Sequence, residues 1–197
     1  MINKILNNRV NVLYFLPFIL GLITVVSFQP FNFSLINFIF LSIFFFLIVY
    51  IKKKSKAKYR KKPYWKNFFL VGLSFGFGFY LSGIFWIAYS LTFDESFKFL
   101  IPFYIVIIPL FLSLFTGLIT LLIGNFLNYN FSSILLFSAA LSLSDYIRGK
   151  ILTGFPWNLW AYSWSWMTEL LQGLNFIGLY SFNLLAITLF TIPVILF

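Results

Sequence analysis

Six long apolar stretches constrain this chain more than anything else in it: Val10 to Phe28, Leu35 to Ile51, Phe68 to Phe93, Phe99 to Ile123, Phe131 to Ile147 and Leu174 to Phe197. A run of about 18 apolar residues crosses the hydrocarbon core as a helix, and a helix satisfies all its backbone hydrogen bonds within itself. A transmembrane barrel does not fit, because its strands alternate apolar and polar positions while Leu35 to Ile51 is apolar at nearly every one. The expected fold is an all-α integral membrane protein, a polytopic bundle of about six transmembrane helices. Composition agrees: 61% of the 197 residues are hydrophobic and 9% charged, against roughly 25% charged in a soluble domain.

The sequence contains no Cys and no His. Disulfides, thiolate or imidazole metal ligands, imidazole acid–base chemistry and a Cys nucleophile are therefore excluded within these residues. Neither a metal nor a cofactor is expected, and covalent chemistry has to come from elsewhere.

Lys4 and Arg9 precede the first apolar run in the manner of a signal peptide, but that run lacks a small-x-small cleavage site. It closes instead in Phe28-Gln29-Pro30-Phe31-Asn32, which reads as a tight hairpin between two spans. Nine of the fourteen basic residues then fall between Lys52 and Lys66, with no acid among them. Such a run marks the cytoplasmic side and is drawn to anionic headgroups; nucleic-acid binding, its other common use, has no fold here to present the charges. Alternation from that anchor puts the N-terminus and Gly124 to Asn130 in the cytoplasm, with Asp94, Glu95 and Arg148 to Trp166 outside. Arg148 and Lys150 run against the positive-inside pattern, which points to a specific contact for Arg148.

In the third run, Gly72 and Gly76 are four apart, as are Gly78 and Ser82. Small residues so spaced let a neighbouring helix approach closely, or leave a smooth groove for a lipid chain. Trp86 and Tyr89 suit an interfacial aromatic belt, and Pro109 sits deep enough in the fourth run to kink it. The last residues, Phe190 to Phe197, carry no polar or basic flank, from which the chain is expected to be the front part of something longer.

Polar chemistry concentrates in Ser144 to Trp160. Asp145 and Arg148, three apart at a helix end, can pair with each other, or Arg148 or Lys150 can receive a lipid phosphate. Pro156-Trp157-Asn158 offers a rigid turn, a large amphipathic ring and an amide that both donates and accepts, while Trp157, Trp160, Trp164 and Trp166 together read equally well as an aromatic belt.

The block Leu152-Thr153-Gly154-Phe155-Pro156-Trp157-Asn158, preceded by an acid and Arg148-Gly149, resembles the signature of the apolipoprotein N-acyltransferase family of bacterial inner membranes. The resemblance extends to Phe28-Gln29-Pro30-Phe31, to Phe75-Gly76-Phe77-Gly78-Phe79 with Gly83 and Trp86, to Leu170-Leu171-Gln172 and to Ile177-Gly178-Leu179-Tyr180. Asp145 stands where the family usually has Glu. What the resemblance implies is a two-step transfer through a thioester, run by a Glu-Lys-Cys triad in a periplasmic nitrilase-like domain that follows the membrane helices. That C-terminal domain is missing here, so residues 1–197 would form the N-terminal transmembrane domain, inactive alone and without catalytic residues of its own. The implied partners are a phospholipid acyl donor and a diacylglyceryl lipoprotein acceptor, for a multi-pass monomer of the bacterial inner membrane with a cytoplasmic N-terminus and no nucleic-acid partner. Trp86, Tyr89, Asp145, Arg148, Trp157 and Asn158 are the candidates to face substrate or lipid. A transporter component and a non-enzymatic membrane scaffold are the alternatives; transport sites usually place ionisable groups or broken helices at the bilayer midplane, where only Pro109 qualifies.

Overall fold

The computed structural model describes residues 6, 8–57, 65–151, 154 and 156–196. Helix α1 spans Leu16–Thr24, entered through a π-turn at Asn11–Phe15 and left through a 3-10 turn at Val25–Ser27. Helix α2 spans Asn37–Ala57, and α3 spans Trp65–Ile84 before tightening into a 3-10 segment, Phe85–Thr92. A second 3-10 segment, Glu95–Leu100, leads into α4 at Ile101–Ile123, and α5 follows at Phe131–Arg148. Beyond a 3-10 turn at Trp160–Trp164 come the short α6, Thr168–Leu171, and α7, Leu174–Ile177, then α8 at Leu179–Thr191. No strand occurs among the described residues. Three helical stretches, Ser34–Lys54, Trp65–Thr92 and Glu95–Ile123, are long and apolar enough to cross a membrane; Asn11–Ser27 and Leu179–Ile195 are shorter apolar helices.

On two helices, small polar residues turn inward beside the apolar core while large apolar side chains face out. On α5 the inward stripe is Ser133, Ile134, Phe137, Ser138, Leu141, Ser142, Asp145 and Arg148, at the three- and four-residue spacing of one helix face. Its outward face holds Phe131, Leu135, Leu136, Leu143, Tyr146 and Ile147. Helix α4 repeats the pattern, turning Ser113, Thr116, Gly117 and Thr120 inward and Phe103, Ile107, Leu110, Leu114, Leu118 and Leu122 outward. Apolar surface on that scale is untenable in water, whereas in lipid it costs nothing and the polar groups are the ones to hide. The chain is an all-α membrane bundle.

Close approach of backbones sets the packing around α3. A Cβ on Gly21 would run into the Phe75 carbonyl and lie 2.8 Å from the Phe79 nitrogen; one on Gly78 would strike the Phe18 carbonyl and lie 3.0 Å from the Leu22 nitrogen. The α1–α3 crossing is thus built from two facing glycines. On another face, Gly72 and Gly76 lie against Thr120 and Ser113 of α4, and the Thr120 hydroxyl donates to the Phe68 carbonyl at 2.8 Å. The small-residue stripe is occupied by helices on both sides, which leaves no groove along it for a lipid chain.

Two apolar runs behave differently from uninterrupted spans. The run from Phe68 keeps α-geometry only to Ile84, and the run from Leu174 is cut at Gly178, whose φ of 76° and ψ of 164° fit only glycine. Helix α4, by contrast, passes through Pro109 without ending.

The molecule has two distinct ends. At one, Lys54 Nζ donates to the Leu6 carbonyl at 3.0 Å, Lys52 Nζ to the Leu127 carbonyl and Asn128 Oδ1 at 2.9 Å each, and Arg9 to Asn67 at 3.2 Å. At the other, Trp166 donates to the Ser34 hydroxyl at 3.1 Å and Trp157 packs on Trp86. Lys52 is buried within α2 and not part of a solvated loop; most of the basic run, residues 58–64, lies outside the described residues, as do Leu152, Thr153 and Phe155.

Candidate functional site

At the second end, the last turn of α5 carries Asp145 and Arg148. Arg148 Nη2 donates to Asp145 Oδ1 at 3.0 Å, and both residues are buried, 3% and 7% exposed. The other carboxylate oxygen, Oδ2, accepts from Asn183 Nδ2 of α8 at 2.9 Å, while Asn183 Oδ1 accepts from the Ala161 N–H at 3.1 Å. The Arg148 guanidinium lies over the Tyr80 ring of α3, 5.2 Å from its centre. One carboxylate therefore ties α5 to α8 and, through Asn183, to the loop before α6. A charge pair sealed in a bundle is tolerable only when it is hydrogen-bonded as well as paired, as the Asp145 carboxylate is here on both oxygens.

The loop it fixes is also anchored by its own aromatic residues. Trp160 lies flat on Phe79, 5.1 Å between centroids with 4° between planes, and Trp164 stacks on Phe190 at 5.4 Å and 7°. Trp160 belongs to the buried core, and Trp164, half-buried, packs against it. Just upstream, Asn158 takes a left-handed backbone, φ 54°, a conformation that Asn tolerates better than most residues. It is buried, with its amide pressed onto Gly83 at the end of α3, and a Cβ at Gly83 would fall on Nδ2. Asn158 Nδ2 has no hydrogen-bond partner among the described residues. Trp157 points outward and packs on Trp86 at 5.6 Å and 51°, and Trp86 Nε1 donates to the Gly83 carbonyl at 3.1 Å. Tyr89, 69% exposed, meets Phe93 edge-on at 5.7 Å.

The six candidate residues thus divide into two layers. Trp86, Tyr89 and Trp157 form an exposed aromatic shelf, and Asp145, Arg148 and Asn158 lie behind it in the interior. The hairpin at this end carries its own cap: the Asp94 carboxylate accepts from the Ser96 N–H at 2.8 Å, which holds its pKa below the usual value. Among the described residues no three of His, Cys, Asp and Glu converge as metal ligands. Asn183 and Tyr80, which complete the buried network, were not singled out from the sequence. Asn183 is a lone amide in an apolar run, and that isolation is itself the signal, since a polar group inside a membrane helix needs a partner. Chemically, the arrangement offers a carboxylate held on both oxygens, an oriented amide and indole faces: groups that position and shelter rather than attack.

The family model described as the apolipoprotein N-acyltransferase N-terminal domain matches residues 20–191. The apolipoprotein N-acyltransferase of Bradyrhizobium diazoefficiens is 32% identical over 174 residues, covering 88% of this chain and 31% of the relative. That of Rhodopseudomonas palustris is 34% identical over 128 residues, 64% of this chain and 24% of the relative. That of Rickettsia bellii is 32% identical over 136 residues, 67% of this chain and 26% of the relative. The chain spans between about a quarter and a third of the length of these relatives.

Proposed function

Because the chain belongs to the apolipoprotein N-acyltransferase N-terminal domain family, we propose that it is the membrane portion of an enzyme moving an acyl chain from phospholipid to the N-terminal amine of diacylglyceryl-cysteine lipoproteins. The match over residues 20–191 carries this proposal. A chain without Cys cannot supply the thiolate that attacks the phospholipid ester and is regenerated when the lipoprotein amine takes the acyl group. That chemistry belongs to a domain outside these residues, and the helices anchor it and shape its access to lipid. The end bearing Trp86, Tyr89 and Trp157 faces the periplasm, next to that domain, and the end bearing Lys52 to Lys54 faces the cytoplasm together with the N-terminus.

In this proposal the aromatic shelf is where acyl chain and glycerol backbone pass, because indole and phenol rings suit the boundary between hydrocarbon and headgroup. Asp145, Arg148 and Asn183 are positioning residues that fix the loop, and Asn158 Nδ2 is a donor held against α3 immediately behind the shelf. The test is expression in a strain depleted of its own N-acyltransferase, with lipoprotein N-termini read by mass spectrometry. The chain alone is expected to leave lipoproteins unacylated, and the chain supplied with the catalytic domain of a relative to acylate them. Acylation by the chain alone, or none with the domain present, would overturn the proposal.

A further inference from the structure

The connection between α1 and α2 and the loop before α6 meet in a seam at the end of the bundle that carries the shelf. Trp166 Nε1 donates to the Ser34 hydroxyl at 3.1 Å, and Phe38 of α2 meets Phe190 edge-on at 5.1 Å, the same ring on which Trp164 is stacked. A third contact, Phe28 against Trp160 at 6.3 Å, joins the same two segments. Asn37 lies between Ser34 and Phe38 in the chain, and Ser165 between Trp164 and Trp166, so both residues fall within this seam. Asn37 is 0% exposed, and neither its Oδ1 nor its Nδ2 has a hydrogen-bond partner among the described residues. The buried Oγ of Ser165 and Oδ1 of Asn32 have none there either.

A primary amide sealed in a bundle without partners is costly at both its donor and its acceptor. Two nearby hydroxyls are committed elsewhere: Ser27 donates to the Thr24 carbonyl and Ser163 to the Trp160 carbonyl, each at 2.7 Å. Whatever completes the amide must both accept from Nδ2 and donate to Oδ1. It must be uncharged, since no acidic or basic side chain occurs between Arg9 and Lys52 or between Lys150 and Glu169. It must also be small, because aromatic contacts bound the seam through Phe38, Phe190 and Trp164 and through Trp166. We propose that the seam is a buried hydration site, in which ordered water bridges the Asn37 amide to Ser165 and Asn32. Water meets all three conditions, and a buried water typically makes about three bonds to otherwise unpaired polar groups. The bridge adds to the direct bond from Trp166 to Ser34 and ties the connection between α1 and α2 to the loop that carries Trp157 and Trp160. The site does not depend on the acyl transfer proposed above.

The experiment is crystallography of the whole chain from a lipidic phase, at a resolution that shows ordered water, with the parent and Asn37→Leu compared. Water density is expected about 2.7–3.2 Å from both ends of the Asn37 amide in the parent and is expected to be gone in the variant. Melting in detergent gives a second readout of opposite sign for the two possibilities. An amide with no partner burdens the fold, so Asn37→Leu would raise the melting temperature; an amide bridged by water holds two segments together, and its loss should lower that temperature by about 2–4 °C. The parent's density decides even where the variant does not fold. No density beside the amide, a protein group paired with it directly, a lipid or detergent group in its place, or a rise in melting temperature with Asn37→Leu would overturn the proposal.

Discussion

Asp145 accepts from both Arg148 and Asn183, so removing either member of the ion pair strands the other inside the bundle. Asp145→Ala and Arg148→Ala are each expected to cost about 3–5 kcal/mol, seen as a lower melting temperature in detergent. The double replacement Asp145→Leu with Arg148→Met removes both charges and is expected to cost less than either single change. Gly83→Ala acts differently, since its methyl would occupy the place of the Asn158 amide. It is expected to cost about 1–3 kcal/mol and to displace Trp157 from Trp86, measurable as a change in tryptophan fluorescence. Adding Asn158→Ala should return part of that loss, because the two side chains no longer compete for one space. At this scale the ion pair was legible, because a three-residue separation at the end of an apolar run leaves few other options. Its burial, and the assignment of Asn183 as its second partner, were not: they depend on α8 returning alongside α5, 38 residues away in sequence.

Helices were legible as apolar runs but their ends were not, for a physical reason. Phe85 to Phe93 is as apolar as the α-helix before it, so hydropathy cannot register the change to a 3-10 segment that swings Trp86 and Tyr89 to the edge of the bundle. The glycines of α3 were legible as packing surface, though not their partners. Gly21 and Gly78 each meet the backbone of the opposite helix, and a backbone cannot rotate aside as a side chain can. Gly21→Leu and Gly78→Leu are therefore expected to cost about 3 kcal/mol or more and to prevent α1 from docking, read as loss of folded protein on size exclusion. Leu118→Ala, on the lipid-facing side of α4, is expected to fall within about 0.5 kcal/mol of the parent.

For the whole molecule, the sense of direction comes from charge. The basic run and the four acids are separated along the sequence, and the fold gathers Leu6, Lys52 to Lys54 and Asn128 at one end and Ser34, Trp86, Trp157 and Trp166 at the other. The proposed acyl-transfer role rests on that polarity, since in that proposal the shelf faces the periplasm. The absence of native Cys makes the decisive measurement clean: single cysteines at Tyr89, at Trp157 and at Lys53, challenged in intact spheroplasts with a membrane-impermeant maleimide. Labelling of Tyr89→Cys and Trp157→Cys without permeabilisation, with Lys53→Cys labelled only after it, is the expected result. Labelling of Lys53→Cys from outside while Tyr89→Cys and Trp157→Cys stay protected would place the shelf in the cytoplasm and contradict the proposed function.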